Sequence, residues 1–396
     1  MKILHTSDWH LGRSFHGLGL LAAQSEWIDG LVEFVAAEGV EAVLVSGDVY
    51  DRALPGVDVV ALLDRALVRL TDAGARVILT SGNHDSAVRL GFGARLLERA
   101  GVHVRTRVAE LADPVIVESS ESSEGFEVAV YGVPYLEPRL VADELGVEEA
   151  GHTPVTRAAI ERIHADLERR RGERSATGAG ALHSVVMAHT FASGGISAES
   201  ERALAVGGLD VVPIEAFSGI DYAALGHLHG RQRLAENVRY SGSPLAYSFG
   251  EARQPKGAWL VEFGDSGLTS VKEVGWPTSH RLAVLRGTLD ELLGDPELAD
   301  AESACCQVTL TDAERPQRAM ERVRTRFPLT LSLQFDPAGG AERAGTTYSG
   351  RLAAARDDLE VCCGFFDHVR GRGPNDEERA ALEGALDAVR LAEAAQ

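Results

Sequence analysis

Apolar and polar positions in this chain follow two periods. Short continuous apolar runs, the mark of strands covered on both faces, occur at residues 2–7, 41–46, 76–80, 184–188 and 220–225. Helical spacing separates the first three runs. Over residues 24–37, Trp27, Ile28, Leu31, Val32, Phe34 and Val35 make one apolar stripe. Over residues 57–70, Val57, Val59, Val60, Leu62, Leu63, Leu67, Val68 and Leu70 give more apolar surface than one face needs. Such a helix is either deeply buried or shared with a second copy of the chain. Strand, helix, strand, helix, strand in this order predicts an α/β fold.

Further along, runs at 115–117 and 126–133 read as a hairpin around a Ser/Glu-rich tip at 118–125. Residues 138–181 are helical and charged, most clearly at 156–171, where Arg169, Arg170 and Arg171 make a solvated helix end. Two strands follow at 258–263 and 268–274. Beyond Trp276 the pattern becomes β-α-β-α-β: 282–286, a Thr288-capped helix at 289–293, 305–310, a helix near 316–326, and 329–335. Residues 337–340 read as a linker. The tail carries two helices, 352–369 and 376–394. Leu359, Val361, Phe365, Phe366 and Val369 form an apolar face that either packs back on the body or docks a partner. The expected domains are residues 1–278, 279–337 and 347–396.

Composition narrows the setting. The 396 residues suffice for two or more domains, and 45% hydrophobic with 25% charged residues is ordinary for a globular protein. No apolar run reaches the roughly 18 residues of a membrane span. An acid as early as Asp8 leaves no room for a signal peptide, so a cytoplasmic protein is expected. The four cysteines stand in adjacent pairs, Cys305-Cys306 and Cys362-Cys363, which suit buried reduced thiols better than zinc or disulfides. A net charge of −20 argues against a stand-alone nucleic-acid binder with a basic surface. Any grip on DNA would then come partly from a partner.

Five apolar runs end in metal-ligating residue types. The first leads into Asp8 and His10, the second into Asp48, the third into Asn83, His84 and Asp85, the fourth into His189, and the fifth into His227 and His229. Residues two apart on an extended segment share a face, so Asp8 with His10 and His227 with His229 can reach one ion. Strand ends of an α/β sheet converge on one crevice. Any single histidine here would be unremarked as a structural residue; five separate strand ends of this kind are hard to explain that way. Carboxylate, amide and imidazole donors suit divalent manganese, iron or zinc. Seven such donors are too many for one ion and enough for two that share a carboxylate, an arrangement that clamps phosphate oxygens. One histidine is then left to protonate a leaving oxygen, and Asp85 offers a carboxylate that can orient an imidazole. Arg13, His16, Arg52 and Arg89 lie in adjoining loops, as candidate phosphate contacts or as solvated surface groups.

The order DxH, GDxxD, GNHD, strand-end His and GHxH resembles the calcineurin-like metallophosphoesterase superfamily. The segments His5 to Gly12, Gly47 to Asp51, Tyr240 to Pro244 and Ser248 to Glu251 are similar to those of SbcD-type nuclease subunits. The resemblance implies a layered α/β/β/α sandwich with a small capping domain and C-terminal helices. It also implies Asp8, His10, Asp48 and His229 on one metal, and Asp48, Asn83, His189 and His227 on the other. His84 would be the general acid or would stabilise the transition state, with Asp85 supporting it. The implied activity is manganese-dependent 3′→5′ exonuclease and endonuclease cleavage of DNA at ends and hairpins, in repair and recombination. The implied partners are the SbcC ATPase, docked on the tail at Leu359, Phe365, Phe366 and Val369, and a second copy of the chain contacted through helix 57–70. Two other readings fit parts of the sequence: a phosphoesterase for small molecules, which needs neither cap nor tail, and a non-catalytic scaffold, which needs no His84.

Overall fold

The computed structural model describes residues 1–118, 125–197, 211–276, 278–337, 358–370 and 372–394. Most of the expected hairpin tip, the linker beyond residue 337 and residues 347–357 of the tail lie outside the described residues. In chain order the strands are β1 (Lys2–Thr6), β2 (Ser14–Phe15), β3 (Leu18–Gly19), β4 (Ala42–Ser46), β5 (Arg76–Thr80), β6 (Val102–Arg105), β7 (Val115–Glu118), β8 (Glu127–Gly132) and β9 (Leu182–His189). They continue as β10 (Tyr222–Gly226), β11 (Gln232–Arg233), β12 (Val238–Tyr240), β13 (Gly257–Gly264), β14 (Gly267–Gly275), β15 (Leu282–Gly287), β16 (Cys305–Leu310) and β17 (Thr330–Phe335).

Two six-stranded sheets dominate, in the orders β14-β13-β1-β4-β5-β6 and β11-β12-β10-β9-β8-β7. In the first, β1, β4, β5 and β6 run parallel; in the second, β8, β9, β10 and β12 do. Their residues alternate between two apolar environments because side chains alternate across a pleat. Ile3, Leu44, Ile78, Val128, Val130, Val185 and Met187 meet between the sheets. Leu4, Val43, Val45, Val77 and Leu79 face the helices Leu21–Glu38 and Val57–Asp72 instead. Ala129, Tyr131, Val186 and Ala188 face the helices Pro138–Leu145 and His152–Thr177. The result is the expected α/β/β/α sandwich.

Several details depart from the sequence pattern, among them the short strands β2, β3, β11 and β12. The charged stretch expected as one helical region is two helices, because Gly146 takes a left-handed conformation (φ 73°) that ends the first. Strand β6 was not expected at all; four residues are too few to establish a period.

The third sheet, β15-β16-β17, is parallel and has its own core, with Leu289 and Leu292 from one helix and Val323 from another packed on Leu285, Cys306, Val308 and Leu310. Thr288 and Glu291 form a reciprocal cap at the start of helix Leu289–Gly294. Leu282 and Leu331 pack against the core of the first large sheet. Residues Met1–Phe335 thus form one compact unit, and Asp336–Gln396 a second. The second unit holds helices Asp358–Arg370 and Asp376–Ala394, the latter begun by a cap between Asn375 and Glu378. Phe365 and Val369 are exposed there; Leu359 and Phe366 are half-buried. Cys305 and Cys306 are buried, Cys362 and Cys363 only half-buried, and all four are free thiols. Among the described residues no helix is long and apolar enough to cross a membrane.

The large sheets come closest at the ends of their parallel strands. The Ser46 hydroxyl at the end of β4 donates to the Ala224 carbonyl of β10 at 2.9 Å. His5 on β1 meets the Tyr222 hydroxyl and the Leu225 carbonyl of β10 through its two ring nitrogens. A Cβ on Gly226 would stand 1.9 Å from the Ser46 carbonyl oxygen, well inside contact distance with backbone that cannot rotate away. Gly226→Ala is therefore expected to destabilise the chain by about 1–3 kcal/mol or more, read as a lower midpoint in urea with an unchanged slope.

Candidate metal centre

The predicted metal ligands lie at or just beyond these strand ends. The loops after β1 and β4 are laced together: Asp8 N–H donates to the Gly47 carbonyl, His10 N–H to Asp48, and Leu11 N–H to Val49, at 3.1, 2.9 and 3.0 Å. Six described non-glycine residues have positive φ, and four of them are Asp8, His10, Asp48 and His227. Left-handed backbone costs an L-residue energy, so the lacing holds these side chains where an unconstrained strand end would not.

The structure brings the donors together. Asp8, His10 and His229 have ligand atoms within 4.8 Å of one another, as do Asp8, Asp48 and His189, and also His10, Asp48 and His84. Asp8, His10, Asp48, His189 and His229 are almost fully buried. Asn83 joins through its Oδ1, 3.0 Å from His189 Nε2. His227 is in none of the three groups; its ring stands edge-on to His189 with centroids 5.3 Å apart, and its N–H donates to both Asp8 carboxylate oxygens at 3.1 Å.

Hydrogen bonds on the far side of the rings fix which nitrogen faces inward. His189 Nδ1–H donates to the Ser46 carbonyl at 3.0 Å, so Nε2 carries a lone pair in the neutral ring. That lone pair faces two oxygens, Asn83 Oδ1 at 3.0 Å and Asp48 Oδ2 at 3.4 Å. Three acceptors converging on one buried point fit a cation, and a hard divalent ion matches this mixture of donors. His10 Nε2 and His229 Nε2 lie 3.1 Å apart and converge in the same way. His84 Nδ1–H donates to the Asp51 carbonyl at 2.9 Å, and its ring stands edge-on to His10.

Asp85 requires a correction. It does not orient His84, whose Nδ1 is taken by Asp51. Its carboxylate accepts the N–H groups of Gly82, Val49 and Tyr50 at 2.9, 3.0 and 2.9 Å. It thereby ties the loop after β4 to the loop after β5. Asp51 is the residue that the sequence reading passed over: its carbonyl holds His84, and its carboxylate lies 3.6 Å from His10 Nδ1 and 3.3 Å from Arg13 Nη1. Its place at the end of the GDVYD segment was the available signal. Gln24 was also missed; it donates to the His10 carbonyl at 2.8 Å from within a helical stripe read only as core.

The four loop cations sit differently from one another. Arg13 packs over the Tyr247 ring and pairs with Asp51. Arg52 lies 3.6 Å from Asp51 with its side chain 74% exposed, which leaves it available to solvent or ligand. Arg89 donates to the Ala53 carbonyl at 3.4 Å. His16 stands edge-on to Phe15 and tilted against Phe249.

Burial without bulk water sets the protonation states. Burial pushes the Asp8 carboxyl up to about 7, against the pull of His189. Burial would depress His189, but the Asp48 carboxylate beside it carries it up to about 9. Asp48 itself is held below the usual carboxylate range; burial alone would raise it, and His189 and His10 outweigh that. Burial lowers His227 to about 3 and His229 to about 4. His189 is thus protonated in the metal-free fold up to a higher pH than in the unfolded chain. Its contribution to stability is present below 6.5 and lost as pH rises toward 9. The metal-free protein is expected to melt at progressively lower temperature from pH 6.5 to 9, and His189→Gln to flatten that slope. Stabilisation by added divalent ion should grow over the same range, because binding displaces the proton.

Comparison with known proteins agrees with this geometry. Residues 1–231 match the family model described as calcineurin-like phosphoesterase. A protein of Staphylococcus saprophyticus, named as the SbcD component of the SbcCD nuclease, is 28% identical over 338 residues, 84% of each chain. Its namesake in Escherichia coli is 31% identical over 306 residues, covering 75% of this chain and 74% of that one. The chain belongs to the calcineurin-like phosphoesterase family, as a metal-dependent phosphodiester hydrolase of the SbcD nuclease type.

Proposed function

We propose that this protein cleaves DNA as the nuclease component of an SbcCD-type complex, in the cytoplasm, during repair and recombination. It would act as a 3′→5′ double-strand exonuclease and as an endonuclease on hairpins, with two manganese ions. The observation that carries the reading is the gathering of Asp8, His10, Asp48, His189 and His229 into overlapping buried groups, with His84 beside His10 and Asp48, in a chain similar to named nuclease components.

Asp8, His10, Asp48 and His229 would hold one ion, and Asp48, Asn83, His189 and His227 the other. Two divalent ions held there would activate water and neutralise charge on the phosphate. The chain's own residues do the rest. Asp48 Oδ1 accepts the His84 backbone N–H at 2.9 Å, so the loop that carries the acid is fixed to the carboxylate that would hold both ions. With Nδ1–H held by the Asp51 carbonyl, the imidazolium form of His84 would have its Nε2–H free to give a proton to the departing oxygen of the DNA strand, leaving the neutral ring. The relay from Asp85 to Gly82, Val49 and Tyr50 keeps both loops in register. Arg52, its side chain 74% exposed, offers an accessible contact for a phosphate, with Arg13, His16 and Arg89 as further candidates.

Residues 279–337 would serve as the cap that positions DNA. The helical tail from 347 would dock the SbcC ATPase through the face with Leu359, Phe365, Phe366 and Val369. Borrowing part of the DNA grip from that partner suits a net charge of −20. A homodimer is supported by apolar side chains left in solvent: Leu54, Val57, Val88, Phe92 and Leu96 are 69–89% exposed. The bond from Arg89 to Ala53 joins the two segments that carry them.

The central test is hydrolysis of a linear DNA duplex with manganese, magnesium or chelator, with and without the ATPase partner. Manganese-dependent cutting is expected, reduced about 10²–10⁴-fold in His84→Ala. Equal cutting by His84→Ala would remove the acid role. Turnover of a small phosphodiester without any cutting of DNA would assign the site to small-molecule substrates. For the dimer, Phe92→Glu is expected to halve the mass measured by light scattering without loss of the folded signal.

A further inference from the structure

Glu251 is a carboxylate with no exposure to solvent, at the end of the single turn Phe249–Glu251. It belongs to none of the ligand groups. One oxygen, Oε1, lies 3.5 Å from His229 Nδ1 and accepts the Ser248 hydroxyl at 2.8 Å. The other, Oε2, accepts Lys256 Nζ at 2.6 Å and the Tyr247 N–H at 3.2 Å. Lys256 is nearly as buried, with its side chain 7% exposed. Its ammonium also donates to the His229 carbonyl at 2.8 Å and to the Ser243 hydroxyl at 3.0 Å. The pair therefore grips His229 at both ends, ring and backbone.

A buried ion pair is a poor way to gain stability. Well-packed apolar residues often do as well or better, because two charges must be taken out of water. This one sits where its geometry has a use. An imidazole offers a lone pair at Nε2 only while Nδ1 keeps its proton, and a carboxylate beside Nδ1 favours that form and holds the ring's angle. His229 Nε2 is the end that converges with His10 and Asp8. Behind His189 the device is different: among the described residues its Nδ1–H is held by the Ser46 carbonyl, not by an acid. The two proposed ions would thus be supported by different devices.

The geometry points to Glu251, locked by Lys256, as the positioning residue that orients His229 and so governs one of the two metal positions and not the other. This rests on the two-ion reading given above, and the test separates the two. Calorimetric titration with Mn²⁺ and metal analysis after dialysis are done on the full chain, wild type and Glu251→Gln. A second variant, Glu251→Gln with Lys256→Met, removes the charge that the first leaves unpaired. Wild type is expected to bind two ions. Both variants should weaken one binding event about 10–100-fold and leave the other at its wild-type affinity. Variants that bind two ions as wild type does, with only a lower melting temperature, would overturn the inference by making the pair merely structural. Equal weakening of both ions would overturn it as well. A wild type that fails to bind two ions would instead sink the reading of the site itself.

Discussion

The Asp48 carboxylate is the point on which this structure depends. One of its oxygens receives the His84 N–H at 2.9 Å; the other lies 3.5 Å from His10 and 3.4 Å from His189. Those contacts reach the loops after three different strands and both large sheets. A buried carboxylate without partners would be costly and would take up a proton. Here the surrounding imidazoles keep it ionised, and Asp8, with fewer cationic neighbours, is pushed toward neutrality. Two buried acids a few ångströms apart with opposite tendencies are best satisfied by cations between them. Gly82 is part of the same arrangement, since a Cβ there would lie 2.1 Å from Asp48 Oδ1.

The sandwich makes that concentration of charge tolerable. Parallel strands buried on both faces are stiff, and their ends cannot drift when the residues beyond them adopt unfavourable φ. Asp8, His10, Asp48 and His227 all do so. The strain is local and the support is distributed, through hydrogen bonds between the loops and through the apolar layers of the two sheets. Groups outside the ligand set carry much of the precision: the Ser46 carbonyl behind His189, the Asp51 carbonyl behind His84, the Gln24 amide beneath His10, and the Asp85 carboxylate between two loops. None of these changes the chemistry, yet each decides which atom points inward.

The fold was largely legible from periodicity. Continuous apolar runs such as 41–46 suit strands covered on both faces, and the stripe of residues 24–37 marks a helix lying on them. Strand β6 escaped because four residues cannot display a period, and the break at Gly146 because a glycine in a charged helical stretch has several readings. Candidate ligands were legible for a related reason. Asp, Asn and His at the ends of strands that must be parallel are bound to meet, whatever the distance between them in the chain. The role expected of Asp85 was misread. An acid next to a histidine in sequence need not be its partner in space, and here a tight turn sends the carboxylate to backbone N–H groups instead.

The sequence by itself determined the layers, the strand ends and the set of side chains available there, because burial and pleat leave an apolar run few alternatives. Only the tertiary structure decided the pairings. Glu251 and Lys256 are an acid and a base in a polar segment, with nothing local to show that both would be buried behind His229. Asp51 reads as one more loop acid until its carbonyl is seen against His84. Hydrogen bonds of this kind join residues tens to hundreds of positions apart, and their geometry depends on how two sheets are stacked. Periodicity carries the position of each strand but not the ångström-scale offset between sheets, and that offset selects the nitrogen that faces the site.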